Sequence, residues 1–246
     1  MTAKPGVSVV VPLYNEGPNV LRLSKDILSA LGSQSCPFEL LLVDDGSTDD
    51  TWQRIEDAQR ADPRVRAVRH ERQSGQSAAL WTGFNASEGE IIATLDGDLQ
   101  NDPADLPRML SELAGCDMVC GVRARRMDSW VRRLSSRIAR WARKQALGVD
   151  FRDSGCNQRV FKRSAVAGLP FFDGFHRFLP ILAHSAGAIV RELPVAHHPR
   201  VAGRSKYGVW NRLGRGIRDL LKVRRMIRRP AKGVAAEAAV KPATLL

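Results

Sequence analysis

The chain has 246 residues, is 43% hydrophobic and carries a net charge of +12 at pH 7, a composition that excludes a disordered tail. Its charge is divided unevenly: residues 1–120 carry 10 basic and 19 acidic side chains, and residues 121–246 carry 28 and 7. The basic half predicts a polyanionic partner, which is a nucleic acid, an anionic membrane or a phosphorylated ligand. The acidic half is suited to holding cations.

Short apolar runs bounded by Gly, Pro, Asp or Asn predict five β-strands, at residues 7–11, 38–43, 65–68, 90–95 and 118–122. The stretches between them have helical spacing, most clearly from Val20 to Leu31. Strands that alternate with helices predict an α/β fold, with a mostly parallel central sheet and helices on both faces.

Polar loops follow the first, second and fourth predicted strands. Ligands of such sheets bind beyond the carboxyl ends of the strands, so we expect these loops to converge. Helix capping accounts for one acidic residue in each loop, but not for Asp44 with Asp45 or Asp96 with Asp98. The paired acids therefore indicate a binding site.

Asp96 and Asp98, with Gln100 as a neutral oxygen donor, suit a hard divalent cation, Mg²⁺ or Mn²⁺. An EF-hand is excluded, because Asn101 stands where that loop needs Gly and Pro107 where it needs Glu. Such a cation usually also binds substrate phosphates. The alternative is a solvated acidic turn with no ligand.

Four motifs in chain order resemble family 2 glycosyltransferases, which have the nucleotide-diphospho-sugar transferase fold. They are Pro12-Leu-Tyr-Asn-Glu16, Asp44-Asp-Gly-Ser-Thr-Asp49, Gly75-Gln-Ser-Ala-Ala79 and Asp96-Gly-Asp-Leu-Gln100. The resemblance covers residues 6–227 and is closest to the polyprenyl-phosphate branch, which includes dolichyl-phosphate mannose synthases and bacterial undecaprenyl-phosphate transferases.

The resemblance implies three groups of site residues. The nucleotide pocket is lined by Pro12, Tyr14, Glu16, Val43 and Asp45, and the metal and diphosphate are held by Asp96, Gly97, Asp98 and Gln100. The basic residues Arg123, Arg200 and Lys206 contact phosphate. The acceptor lipid phosphate is bound by Arg132, Ser136 and Arg137. Asp98, Arg123 and Asp153 are the expected catalytic residues.

Asp153 matches a segment that lies near the reacting centre in the family, although an Asx turn before a short strand at Val160-Phe161 is an alternative. His176 also matches a segment of bacterial members, but a lone histidine in an aromatic-rich stretch is more often structural. We therefore do not place His176 among the catalytic residues.

The implied reaction is inverting transfer of a sugar from a UDP- or GDP-sugar to a polyprenyl phosphate, supplying lipid-linked sugar for cell-envelope glycan or lipopolysaccharide modification. The rival enzymatic hypothesis is a soluble or polymeric saccharide acceptor. A nucleic-acid-binding protein is a poor alternative, because no binding motif is present, aromatic residues make up only 6% of the chain, and the acidic loops repel phosphate unless they hold a metal.

Two segments, 128–147 and 206–229, combine apolar residues at helical spacing with many Arg and Lys residues, a pattern typical of helices at a membrane surface. A helix packed on its own domain with a solvated basic face is the alternative.

No apolar run reaches the roughly 18 to 20 residues of a membrane span, and no signal segment is evident. We expect a catalytic domain at 1–205, a membrane-surface helix at 206–229 and a flexible tail at 230–246, in a cytoplasmic protein peripheral to the inner face of the membrane.

The four cysteines have no CxxC metal or redox spacing. We therefore expect free thiols in a reducing cytosol, with Cys116 and Cys120 buried as small apolar groups.

Overall fold

A seven-stranded sheet forms the centre of the computed structural model, which describes residues 4–34, 36–123, 144–199 and 209–228. The strands are β1 (Val7–Leu13), β2 (Phe38–Asp44), β3 (Val65–Arg69), β4 (Ile91–Thr94), β5 (Met118–Arg123), β6 (Arg159–Lys162) and β7 (Val190–Val195). The five strands predicted from the sequence are all present. Sequence patterns indicated β6 only as a short strand, and they did not indicate β7.

The strand order across the sheet is β3-β2-β1-β4-β6-β5-β7. Neighbouring strands run parallel except at β6, which is antiparallel to both β4 and β5. The expectation of a mostly parallel sheet is confirmed. Because β6 is reversed, its amino end lies at the edge where the other strands have their carboxyl ends.

Helices cover both faces of this sheet, as predicted. They are α1 (Gly17–Gly32), α2 (Thr51–Ala61), α3 (Gln76–Ala86), α4 (Leu106–Glu112), α5 (Phe175–Ser185) and α6 (Val209–Arg228). Successive strand residues face opposite sides. Val9 and Val11 of β1 pack in a core with α1, α2 and α4, whereas Val10 packs in a second core with α3, α5 and α6. The period-2 pattern of the strands thus produces two cores from one sheet.

The described side chains of α6 pack largely against the domain itself. Val223 is fully buried, and Leu220, Met226 and Ile227 pack against the second core. Leu221 is 53% exposed. In this part of the helix the apolar face is therefore used inside the molecule, which corresponds to the packed-helix alternative, and the basic face is left to solvent.

The thiols behave as small buried groups, with one exception. All four cysteines are free; Cys116, Cys120 and Cys156 are buried, and Cys36 is exposed. Burial raises the pKa of Cys120 to about 12. This thiol is therefore protonated and unreactive near neutral pH.

Arg163 joins the end of α3 to the strand that follows. Its guanidinium donates to the carbonyl oxygens of Phe84, Ser87 and Gly89 at 2.7 to 3.0 Å. We expect Arg163→Ala to lower the free energy of unfolding by about 2 kcal/mol, because charge-assisted hydrogen bonds to helix-end carbonyls are lost. Urea unfolding measures the change.

The matched control for this prediction is Arg22→Ala, because Arg22 is exposed and forms only a 3.7 Å ion pair with Asp26. Its effect should stay within about 0.5 kcal/mol. Equal stability losses in the two variants would show that the Arg163 hydrogen bonds do not stabilise the fold.

Candidate active site

The predicted loops converge on one edge of the sheet. The carboxyl ends of β1, β2, β4 and β5 lie there, and the reversed β6 brings its amino end to the same edge. Residues 96–100 after β4, here named the acid loop, therefore lie near Arg123 at the end of β5 and near residues 153–158 before β6. This is the edge at which open α/β sheets bind ligands.

The backbone of the acid loop is held rigidly against the end of β1. A Cβ at Gly97 would lie 2.5 Å from Leu13 Cδ2 and 3.3 Å from the Pro12 carbonyl oxygen, so a larger residue would require the buried Leu13 side chain to shift. Leu99 has a φ of 60°, a left-handed conformation that costs on the order of 1 kcal/mol for a non-glycine residue, and its side chain packs into the first core. The strain is tolerated because the core holds Leu99, and the carboxylates on either side are thereby fixed in position.

Two side-chain amides orient Asp96. Gln76 Nε2 and Asn157 Nδ2 donate to its Oδ1 at 2.8 and 2.9 Å. Burial, followed by the negative charge of Asp98, raises the pKa of Asp96 above its ordinary value. A divalent cation bound between the carboxylates of Asp96 and Asp98 would offset the repulsion between their negative charges.

Asp98 and Gln100 occupy the other end of the acid loop. Asp98 Oδ1 accepts from the main-chain N–H of Gln100 at 3.2 Å, and the Gln100 amide donates to the His198 carbonyl at 3.4 Å. No three His, Cys, Asp or Glu side chains in the described ranges are close enough to hold a metal ion by themselves. A cation at the acid loop therefore needs further ligands, and Mg²⁺ commonly takes them from substrate phosphates and water.

Arg123 and Asp153 form a bidentate ion pair. Arg123 Nε donates to Asp153 Oδ2 at 2.7 Å and Nη2 donates to Oδ1 at 2.8 Å. Burial alone would lower the pKa of Arg123, but the hydrogen bonds and charge of Asp153 outweigh it and the pKa is raised. Arg123 Nη1 makes no contact in this pair, so the guanidinium retains donors for a phosphate.

Pro12, Tyr14 and Glu16 follow one another at the exit of β1, and each is partly exposed. The main-chain N–H of Asn15 donates to Ser47 Oγ at 2.9 Å, which joins this exit to the loop after β2. These three residues are therefore placed where they can border a ligand.

The structure places the other two residues of the expected nucleotide pocket differently. Val43 is fully buried in the second core and presents no surface. Asp45 is also buried: its two carboxylate oxygens accept from the main-chain N–H groups of Ser74 and Gly75 at 2.8 Å, and His70 Nδ1 lies 2.8 Å from Oδ1. Asp45 therefore orders the loop before α3, and its place in the nucleotide pocket stays a prediction.

Comparison with known proteins gives the family. Residues 8–168 match the family described as Glycosyl transferase family 2. The chain belongs to this family. The resemblance noted in the sequence motifs is thereby confirmed.

Two curated relatives of this family 2 chain are similar over most of its length. An undecaprenyl-phosphate 4-deoxy-4-formamido-L-arabinose transferase of Edwardsiella ictaluri is 39% identical over 205 residues, which cover 82% of this chain and 63% of the relative. A dodecaprenyl-phosphate galacturonate synthase of Rhizobium johnstonii is 38% identical over 234 residues, covering 92% and 68%. The chain thus spans a little under two thirds of the first relative.

Solved structures support the fold. Glucosyl-3-phosphoglycerate synthase from Mycobacterium tuberculosis, in complex with Mg²⁺ and UDP, superposes with a TM-score of 0.68 at 22% identity, covering 93% of this chain and 81% of that one. A mannosyltransferase from Pyrobaculum calidifontis, in complex with GDP-mannose and Mn²⁺, gives 0.64 at 22% identity, covering 95% and 67%. The α/β fold expected from the sequence is confirmed.

Three site residues of this family 2 chain were not predicted: Gln76, Asn157 and His197. Gln76 and Asn157 are the donors to Asp96, and neither residue type is distinctive in a sequence.

His197 Nδ1 is buried and has no hydrogen-bond partner within the described residues. Burial and Arg123 lower its pKa, while the nearby Asp98 and Asp153 oppose the shift. No sequence signal marked His197, because the strand that precedes it, β7, was not predicted.

Five predicted site residues lie outside the described residues: Arg132, Ser136, Arg137, Arg200 and Lys206. Their assignment to the lipid phosphate and to the donor phosphates stays a prediction. Across the described helices, none is long and apolar enough to cross a membrane.

Proposed function

We propose that this chain transfers a sugar from a nucleoside diphosphate to a polyprenyl phosphate, with inversion at the anomeric carbon and with Mg²⁺ or Mn²⁺ as cofactor. The observation that carries the proposal is the 38–39% identity to two relatives that are both named for polyprenyl-phosphate sugars. The acid loop and the Arg123–Asp153 pair provide the chemistry that this reaction requires.

The leaving nucleoside diphosphate gains negative charge as the bond between the sugar and its oxygen breaks. Asp96 and Asp98, with Gln100 as a further ligand, are the residues that would hold the cation. A bound divalent cation supplies Lewis-acid stabilisation of that charge, typically several kcal/mol. Arg123 acts in the same direction, because its remaining N–H groups can donate to phosphate oxygens.

The acceptor needs positioning more than it needs a base. A phosphate monoester has a second pKa of about 6 and is already ionised near neutral pH. Both carboxylate oxygens of Asp153 accept hydrogen bonds from Arg123. We therefore assign Asp153 the role of orienting Arg123 and the substrates, with no obligatory proton transfer.

Peripheral attachment to the cytoplasmic face of the membrane is part of the proposal. The described end of α6 leaves Leu221 exposed, and Arg218, Lys222 and Arg225 lie on the same turns of the helix. Each basic residue near an anionic leaflet contributes about 1 kcal/mol. Because the apolar face of α6 is already packed inside the domain, we expect electrostatic attraction to be the main force that holds the chain at the membrane.

The test is an assay of the purified chain with Mn²⁺, a panel of UDP- and GDP-sugars and a polyprenyl phosphate in anionic vesicles. We expect release of nucleoside diphosphate together with radiolabelled sugar that partitions into the organic phase. Parallel reactions contain soluble acceptors, including 3-phosphoglycerate and oligosaccharides. Transfer to a soluble acceptor alone would establish the rival hypothesis, and turnover of no donor at all would refute glycosyl transfer by this chain.

A further inference from the structure

A hydrogen-bonded cluster joins the first turns of α3 and α5 beside the acid loop. Ser77 Oγ of α3 lies 2.7 Å from His176 Nδ1 of α5, and the main-chain N–H of Gly174 donates to the same Oγ at 2.8 Å. Gly174 has a φ of 91°, and a Cβ there would lie 2.9 Å from Asp219 Oδ2. The cluster therefore holds the imidazole in one orientation.

The hydrogen bonds also assign the tautomer of His176. Ser77 is 2% exposed, and among the described residues its Oγ has only the Gly174 N–H and His176 Nδ1 as polar neighbours. The hydroxyl therefore donates to Nδ1, since a buried O–H would otherwise lack an acceptor. Burial, followed by the charges of Arg159 and Arg177, lowers the pKa of His176 to about 3. The ring is thus neutral, with its proton on Nε2.

The start of α5, which carries His176, lies close to the acid loop by two connections. Gln76, the chain neighbour of Ser77, donates to Asp96 Oδ1 at 2.8 Å. Arg159 Nη1 donates to the His176 carbonyl at 2.6 Å, and Arg159 pairs with Thr94, two residues before Asp96. His176 is partly exposed, and no group in the described part of the chain accepts from its Nε2. A hydrogen-bond donor is therefore available at this edge of the site.

We propose that His176 Nε2–H donates a hydrogen bond to a hydroxyl oxygen of the sugar carried by the nucleotide donor, and thereby takes part in selecting that sugar. The inference rests on the proposed function, because it requires a nucleotide-sugar at the acid loop. The sugar is bonded directly to the diphosphate, so a diphosphate beside Asp96 and Asp98 brings the ring next to the starts of α3 and α5. A neutral N–H suits a hydroxyl, whereas phosphate oxygens are held by charged donors.

The experiment compares nucleotide binding with nucleotide-sugar binding. Titration calorimetry in Mn²⁺ measures the affinities of wild type, His176→Phe and His176→Gln for UDP, GDP, UDP-glucose, UDP-galactose and GDP-mannose. Removing one sugar hydrogen bond should weaken the best nucleotide-sugar by about 3- to 10-fold in His176→Phe, while the affinity for its nucleoside diphosphate changes less than twofold. His176→Gln keeps an N–H donor and should lose less.

Two comparisons make the outcome specific to a sugar contact. A deoxy form of the best donor that lacks the contacted hydroxyl should bind wild type and His176→Phe equally. His184→Phe, a substitution at an exposed histidine in the last turn of the same helix, should leave all affinities unchanged.

The possible failures are distinguishable. Equal weakening of the nucleoside diphosphate and the nucleotide-sugar in His176→Phe would overturn the inference and leave His176 a structural role. Binding of no nucleotide-sugar by wild type would refute both this inference and the proposed function. Selective weakening of nucleotide-sugars without transfer to any polyprenyl phosphate would uphold the histidine contact and refute only the choice of acceptor.

Discussion

Replacing Asp98 with alanine should lower kcat/KM for nucleotide-sugar turnover by about 100- to 1,000-fold. Asp98 is 8% exposed and lies in the middle of the acid loop, between Gly97 and Leu99. Loss of a cation that stabilises the leaving diphosphate by several kcal/mol corresponds to a rate decrease of this size. Initial rates of nucleoside diphosphate release at increasing Mn²⁺ measure it.

The control is Asp102→Asn, a substitution just beyond the acid loop that we expect to preserve the fold. Asp102 Oδ1 accepts from the Ala104 N–H at 2.9 Å, a cap that asparagine also provides. Its rate should remain within about threefold of wild type. Wild-type turnover by Asp98→Ala, with an unchanged response to Mn²⁺, would remove the acid loop from the mechanism.

Replacing Glu39 with alanine should lower the free energy of unfolding by about 3 kcal/mol. Glu39 is 4% exposed at the amino edge of the sheet, opposite the active site. Its Oε1 accepts from Ser8 Oγ at 2.5 Å and from the Glu88 main-chain N–H at 2.6 Å, and its Oε2 pairs with Arg66. Removing one member of a buried ionic cluster leaves the remaining polar groups without partners.

Urea unfolding gives this value, and the chain offers two comparisons. Glu39→Gln keeps one oxygen and the shape of the side chain, so its loss should be about half as large. Glu90→Gln changes a 77% exposed side chain whose ion pair with Lys4 spans 3.7 Å, and it should stay within about 0.5 kcal/mol. A loss below 1 kcal/mol in Glu39→Ala would mean that the cluster is replaceable by water.

Much of the fold was predictable because its signals are local. Apolar runs bounded by Gly, Pro, Asp or Asn located β1 to β5, and the buried side chains of these strands lie in the two cores. The acid loop was predictable for the same reason, since Asp96 and Asp98 are two residues apart and follow directly on a strand. The reversed strand β6 has no such signature, because alternation of apolar residues does not encode the direction in which a strand pairs.

The site was predictable in composition but only partly in arrangement. Arg123 and Asp153 were both expected at the reacting centre, yet the structure pairs them with each other across 30 residues of chain. Asp45 was expected to line the nucleotide pocket, and the structure shows that its carboxylate accepts hydrogen bonds from the main chain of residues 74 and 75. In both cases the sequence identifies a charged group but does not show which nearby partner neutralises it.

The sequence by itself determined the α/β class, the family resemblance, the acidic loops at the strand ends and the opposite charges of the two halves. Each of these depends on residues that are close together in the chain or on composition. Only the tertiary structure decided that residues 153–158 join the acid loop, that Ser77 of α3 forms a hydrogen bond with His176 of α5, and that the described end of α6 packs inward. Those facts depend on strand direction and on contacts between distant segments, which form when both faces of the sheet are buried and most buried polar groups find partners.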